Sequence, residues 1–275
     1  MFWVILCQNT QLALNLHSSM PEQLTFEQPL NENIRTFLRL EHLFNQFHQH
    51  INHPTSCDAH SAVKAILDIL SVLGRGDIKR ETIKELERQN INLQSFVEIP
   101  GVNYERLTDI ISDQKKCLNE LHGISGSIGN ELQQHELLNA IRQRLSMPGG
   151  LCEFDLPVYA HWLSYPFEQR TETLNEWFSP FATLNKAISL ILRVIRDSTD
   201  TIDETAEDGF FQKSLDANLT CLMIRVILPH DSKVFPEISA GKHRFTVRFL
   251  KSGDLAVRPE QNKSDIKFKL ACCIL

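Results

Sequence analysis

Between residues 31 and 51 apolar side chains fall at Ile34, Phe37, Leu38, Leu40, Leu43, Phe44 and Phe47. That is the spacing of one helical face, and Asn31, just after Pro29, offers a cap. The same period predicts helices over 59–73, 78–96, 106–121, 131–145, 169–178 and 184–195, punctuated by Gly74, Gly76, Pro100, Gly101, Gly123, Pro148 and Pro180. The middle of the chain therefore reads as an antiparallel helical assembly. After Asp197 the pattern changes. Residues 219–228, 245–250 and 266–270 are rich in β-branched and apolar side chains, and the last two segments alternate strictly, as half-buried strands do. Two outlying segments, 24–28 and 151–155, are bounded by Pro or Gly and also read as strands. The fold class expected is α+β: a helical domain at 30–147 and 157–198, and a small, mostly antiparallel β-sheet domain built from 23–29, 150–156 and 199–275. Residues 1–22 fall outside both as an extension, and Met20 is a second possible start.

A formal net charge of -6 argues against a protein that coats nucleic acid over its whole surface, because phosphate neutralisation needs a positive excess on the binding face. The charge is uneven, however. From residue 240 onward, eight basic residues stand against Asp254, Glu260 and Asp265. Seven cysteines, Cys7, Cys57, Cys117, Cys152, Cys221, Cys272 and Cys273, form no framework spacing and read as reduced thiols of a cytoplasmic protein. The opening MFWVILC has no preceding basic residue and too short an apolar run for a signal peptide or an anchor, and no other stretch reads as long and apolar enough to span a bilayer.

Little in the chain proposes catalysis or a cofactor. His48, His50 and His53, with Cys57, are the densest set of metal-ligand types, but helical residues two apart do not share a face. Cys272 and Cys273 are adjacent and would point to opposite sides of a strand. Gly123, Gly126 and Gly129 lack the preceding strand and following lysine of a phosphate loop, and read as a connection between helices. No nucleophile elbow, zinc-protease helix or cysteine quartet is present. The expectation is a non-enzymatic protein without metal or cofactor.

The segment KHRFTVRF carries the one sharp local pattern. As a strand it places Lys242, Arg244, Thr246 and Arg248 on one face and His243, Phe245, Val247 and Phe249 on the other. Arg244 to Arg248 then spans about 13 Å, a scale suited to an extended acidic peptide. Lys267 and Lys269 would widen this surface if their strand were a neighbour. The bland alternative pairs these cations with Asp254, Glu260 and Asp265 on a solvated face. A nucleic-acid-binding adaptor is the rival function, but it needs aromatics on the cationic face, and alternation buries Phe245 and Phe249 opposite it.

FEQPLNENIRTFLRLE, RQRLSMPGGLCEFDLP and PEISAGKHRFTVRFL, together with LGRGDIKRETIKELERQ, IPGVNYERL and the terminal FKLACC, closely resemble the ZapD family of division proteins. The resemblance runs from about Leu24 to Cys273 and leaves residues 1–22 without a counterpart. It implies a cytoplasmic homodimer at the mid-cell division ring that binds the C-terminal tail of the tubulin-like protein FtsZ and bundles its filaments, with no nucleic acid and no membrane insertion. The basic positions the family associates with tail binding match Arg75, Arg244 and Arg248; a further basic position matching Arg39, on the first helix, is also kept, and Lys242 joins them as an expected tail contact from the strand face of Arg244 and Arg248. Glu136 and Ala160 stand where family members can carry Arg and His, although His135 and His161 are next door.

Overall fold

A computed structural model describes residues 23–97, 103–216, 219–241, 243–254 and 256–274. The extension 1–22 with Cys7, the boundary residues Pro100 and Gly101, and Lys242 lie outside the described residues. The chain divides into two compact units. One runs over Thr36–Ile91 and Ile110–Ile191; the other takes the residues up to Arg35, Asn92–Asp109 and everything from Leu192 on.

The described helices are α1 (Glu32–Ile51), α2 (Ser56–Leu73), α3 (Ile78–Gln94), α4 (Tyr104–Gly123), α5 (Asn130–Gln133), α6 (Glu136–Arg144), α7 (Pro157–Leu163), α8 (Phe167–Phe178) and α9 (Ala182–Asp197). In the helical unit, Phe37, Leu40, Phe44 and Phe47 of α1 are fully buried. Phe47 stacks on Phe178 with ring centroids 4.1 Å apart, and Phe44 meets the same ring edge-on. Burying each such side chain contributes about 1.5–3 kcal/mol. The buried amides of Gln89 and Gln114 meet across 2.9 Å, Gln114 Nε2 donating to Gln89 Oε1, so these two buried amides are paired.

Three departures from the periodicity are local in origin. The segment 131–145 breaks into α5 and α6 because His135 leaves helical backbone and caps α6, its Nδ1 accepting from the Leu138 amide. Helix α7 has seven residues, too few for a period to show. The expected strand at 151–155 is not one. Gly149 takes a left-handed φ of 71°, and successive turns follow: the amide of Cys152 donates to Gly149, and those of Asp155 and Leu156 donate to Cys152. With its backbone groups satisfied locally, this segment needs no partner strand. It belongs to the helical unit.

The run Phe167–Asp197 is long and apolar enough, by length and composition alone, to cross a membrane, which the sequence reading did not anticipate. It is interrupted by a 3-10 turn at Ser179–Phe181, and Leu184, Ala187, Ile188, Ile191 and Ile195 of α9 are fully buried, the behaviour of a core helix.

The other unit contains a sandwich of two antiparallel sheets. Its strands are β1 (Gln23–Pro29), β2 (Ile202–Ala206), β3 (Phe210–Ser214), β4 (Cys221–Pro229), β5 (Val234–Ala240), β6 (Arg244–Lys251) and β7 (Ile266–Ile274). One sheet has the order β1-β4-β7-β2, the other β3-β6-β5. Ala206, Ile224, Val226, Leu228, Phe268 and Leu270 from the first sheet meet Phe245, Val247 and Phe249 from the second in one buried core. The α+β class thus stands, with two facing sheets where a single small one was expected. On the other face of the first sheet, Glu27 accepts from Arg196 at 2.9 Å and from Arg225 at 3.1 Å.

Candidate functional site

From Arg244 on, β6 is built as its alternation requires; His243, expected on the inner face, precedes the strand and is exposed. Phe245, Val247 and Phe249 have no exposure, while Arg244 and Arg248 stand in solvent with Thr246 half-buried between them. The neighbouring strands complete that outer face. Arg248 lies opposite Phe210 of β3 and Glu237 of β5; Thr246 lies opposite Gln212 and Ser239; Arg244 lies opposite Ser214.

Two of these neighbours change the chemistry. Glu237 Oε2 accepts from Arg248 Nη2 at 2.6 Å and from Nε at 3.2 Å. The carboxylate that pairs with Arg248 is therefore a cross-strand neighbour and none of Asp254, Glu260 or Asp265. Both partners are about half exposed, so the pair is worth no more than about 1 kcal/mol and can be exchanged for another carboxylate. Phe210, 41% exposed, puts an aromatic ring on the cationic face. It is held there by the β2–β3 turn, where Asp208 and Gly209 both take positive φ, at 48° and 70°, and the Phe210 amide donates to the Glu207 carbonyl. Two successive left-handed residues make the tight hairpin turn that Asp-Gly favours. Arg244 makes no ion pair among the described residues. Lys267 and Lys269 do not widen this surface, because β7 belongs to the other sheet; Lys269 pairs there with Asp203 at 3.2 Å.

Arg75 sits in the helical unit, in the turn between α2 and α3, on a cleft of about 960 Å³. Lys79, Arg80 and His122 line the same cleft, with Leu73, Ile78, Ile83 and Ile128 as its apolar part. Asp77 caps α3 by accepting from the Arg80 amide at 3.0 Å, and Lys79 Nζ donates to the Ile124 carbonyl, which leaves Arg75 and Arg80 as the exposed cations. Gly126 and Gly129, also between α4 and α6, both have φ of 74°. A Cβ on Gly129 would lie 2.7 Å from Phe181 Cε1, so that glycine is dictated by packing as well as by its backbone. Arg39 is exposed on α1 and does not line the Arg75 cleft. Arg39 and Arg75 thus belong to the helical unit and Arg244 and Arg248 to the sandwich unit.

The histidines read above as possible ligands are engaged separately: His48 Nε2 lies 3.1 Å from Asn185 Nδ2, and His50 Nδ1 lies 3.0 Å from Asp58 Oδ1. Burial holds His48 below its usual value, and burial with nearby Lys64 does the same to His60, which meets the Tyr159 hydroxyl at 3.0 Å.

These features define an α+β protein with a helical unit, an antiparallel sandwich and exposed arginines in each. The family model for the cell division protein ZapD matches residues 38–248. The chain is 39% identical over 257 residues to the cell division protein ZapD of Methylococcus capsulatus, covering 93% of this chain and all of that protein. It is 38% identical over 254 residues to that of Coxiella burnetii (91% and 97%) and 35% identical over 260 residues to that of Yersinia pseudotuberculosis (93% and 100%). The chain belongs to the ZapD family of cell division proteins and has its role in division.

Proposed function

We propose that this protein is a non-enzymatic division factor that captures the C-terminal tail of FtsZ, cross-links the filaments as a homodimer and acts in the cytoplasm at the mid-cell ring. The observation that carries this reading is the outer face of β6, where Arg244, Thr246 and Arg248 share one side of a strand whose other side is anchored by Phe245, Val247 and Phe249. Such a face offers charge, hydrogen-bonding hydroxyls and the ring of Phe210 to an extended acidic peptide. Arg75, with Arg80 in its cleft, and Arg39 are proposed as further tail contacts. Bundling then follows from valency: a dimer that holds two flexible tails makes the second capture effectively intramolecular, so weak single contacts suffice.

Phe210 beside Arg248 gives the nucleic-acid reading the exposed aromatic that β6 itself withholds. Glu237 does not separate the two readings, because its carboxylate on Arg248 has to be displaced by a phosphate and by an acidic tail alike. Co-sedimentation with polymerised FtsZ separates the two. The protein is expected to pellet with intact filaments and to stay in the supernatant with filaments lacking their tails, and single-stranded DNA is expected not to compete. Equal pelleting with tail-less filaments would overturn the reading.

A further inference from the structure

The sheet that carries the arginines of β6 has two edges, and they are built differently. Hydrogen bonds at both ends of the β3–β6 ladder fix which backbone groups it uses: the Phe249 amide donates to the Gly209 carbonyl and the Leu215 amide to that of His243. Bonded residues alternate in an antiparallel ladder, so Phe211 and Lys213 bond toward β6, and the N–H and C=O of Gln212 and Ser214 point away from it, to the open edge. Phe210 turns the same way, but its amide is taken by the Glu207 carbonyl. Among the described residues nothing bonds to the main chain of Gln212 or Ser214 on that side. On β5 the bonds from Gly241 to Arg244 and from Ser252 to Lys233 likewise turn Val234, Pro236, Ile238 and Ala240 to the edge. That row is broken. Pro236 has no N–H, the Val234 amide donates to the Ser232 hydroxyl, and Glu237 adds a negative charge to the outer face. Proline and charge are common protections of a sheet edge, and β3 has neither on its outer face; its one charge, Lys213, is paired with Glu204 at 2.9 Å.

We propose that an extended acidic peptide docks by adding to the open edge of β3 as a fourth strand, with its outer side chains in the rows of Arg244 and Arg248. This rests on the tail-capture reading given above and specifies how the tail is held. Gln212 and Ser214 each supply a donor and an acceptor at the spacing of a strand's own alternating groups, and the Phe210 carbonyl supplies one more acceptor. Register sets the position of the added chain. Arg244 lies opposite Ser214, so a residue added across from Ser214 stands in the Arg244 row, two strand spacings or about 9.6 Å away. An arginine and a glutamate leaning toward each other span that gap, and the small Ser214 side chain leaves the way between them clear. Arg248 is engaged on its far side by Glu237, so Arg244 is the main charge contact, and the exposed ring of Phe210 offers apolar cover at the other end of the strand. Charge also selects the occupant. A second copy pairing antiparallel through its own β3 would add another arginine row to the same face, whereas an acidic strand is attracted there. Five residues of edge make a modest contact, in keeping with capture that gains its strength from valency.

The test uses the full isotope-labelled chain and a synthetic peptide of the FtsZ C-terminal tail, with amide exchange followed residue by residue by NMR. At saturating peptide the Gln212 and Ser214 amides are expected to exchange about tenfold more slowly, and those of Ile238 and Ala240 on the β5 edge to be unchanged. Tail peptides carrying a single N-methyl group at successive positions are expected to alternate, every second one binding about tenfold more weakly, the size of one lost hydrogen bond. Gln212→Pro removes an outward donor and no ladder bond, so it is expected to lose affinity by a similar factor while its circular-dichroism melt stays close to the parent's. A peptide that binds but leaves both edge amides unprotected and shows no alternation overturns edge addition, while capture by the arginine face survives. Absence of any binding overturns both. Protection of Gln212 and Ser214 without peptide, growing with protein concentration, would place a second copy on the edge and overturn the proposal as well.

Discussion

A side chain's role on β6 is decided by which way it points, and substitutions there should separate cleanly. Arg244→Ala and Arg248→Ala remove exposed groups, so each is expected to weaken tail binding while shifting stability by no more than about 0.5 kcal/mol. Phe245→Ala, by contrast, empties a fully buried position and should cost about 3–5 kcal/mol, seen as an early circular-dichroism melt. Glu237 adds a sharper expectation. Glu237→Gln takes away the carboxylate that occupies Arg248, so tail affinity measured by fluorescence anisotropy should rise by about two- to fivefold, the size of an exposed pair. Weaker binding by that variant would mean that Glu237 orients Arg248 rather than competing for it. The inward and outward sides of β6 were legible in its alternation. Glu237 and Phe210 were not, because a cross-strand neighbour depends on register, which nothing within one strand reveals.

Helices and strands carry the next layer of consequence. Gly126 and Gly129 share the same positive φ, but only Gly129 is crowded, by Phe181 and Leu70. Gly126→Ala should cost about 1 kcal/mol of backbone strain, and Gly129→Ala clearly more, in urea unfolding. Equal costs would mean that Phe181 moves aside freely. Helix α2 adds a pH dependence through His60, whose value, like that of His48 on α1, is held down by burial. A histidine depressed in the folded state leaves the unfolded chain binding more protons. Stability is therefore full above the usual value of 6.5 and falls as the pH drops from there toward the lower folded value. The melting temperature should decline as the pH falls below 6.5, and less so in a His48→Gln, His60→Gln double variant. The long helices were legible because each shows several turns of period. The hairpin at Asp208 and Gly209 was legible in principle from its Asp-Gly pair, yet β2 and β3 have only five residues each and little apolar alternation. The turns at 151–155 looked extended because a short segment with Leu151, Cys152 and Phe154 stands between Gly150 and Pro157, and such bounds mark a strand and a run of turns alike.

For the whole molecule, the proposed capture is electrostatic and multivalent, and both properties can be varied from outside. Charges on an open sheet face are screened over about 10 Å at 0.1 M salt, so FtsZ bundling followed by light scattering should fade as salt rises. Bundling unchanged in molar salt would point to apolar docking instead. Sedimentation is expected to show a dimer, and a version held monomeric should still bind tails but no longer bundle. Neither the dimer nor the tail was readable from periodicity or charge. Family resemblance supplied both, whereas the physics of the strand supplied only a cationic face of the right length.

The pairing of Glu27 with Arg225 joins residues 198 positions apart, and every other pair of β1 with β4, from Gln23–Pro229 to Pro29–Met223, is similarly long-range. An edge strand made near the beginning of the chain must wait through the synthesis of every helix before its ladder exists. Closing so large a loop is entropically expensive, so the sandwich should mature late and slowly compared with the helical segments, whose contacts are more local. Until then Gln23–Pro29 is a short unpaired edge, carrying Leu24 and Phe26, open to the wrong partner. Ribosome-released fragments that stop before β4 should accordingly be the aggregation-prone species of this protein, and deleting β1 from such fragments should make them more soluble even though the same deletion would weaken the finished fold.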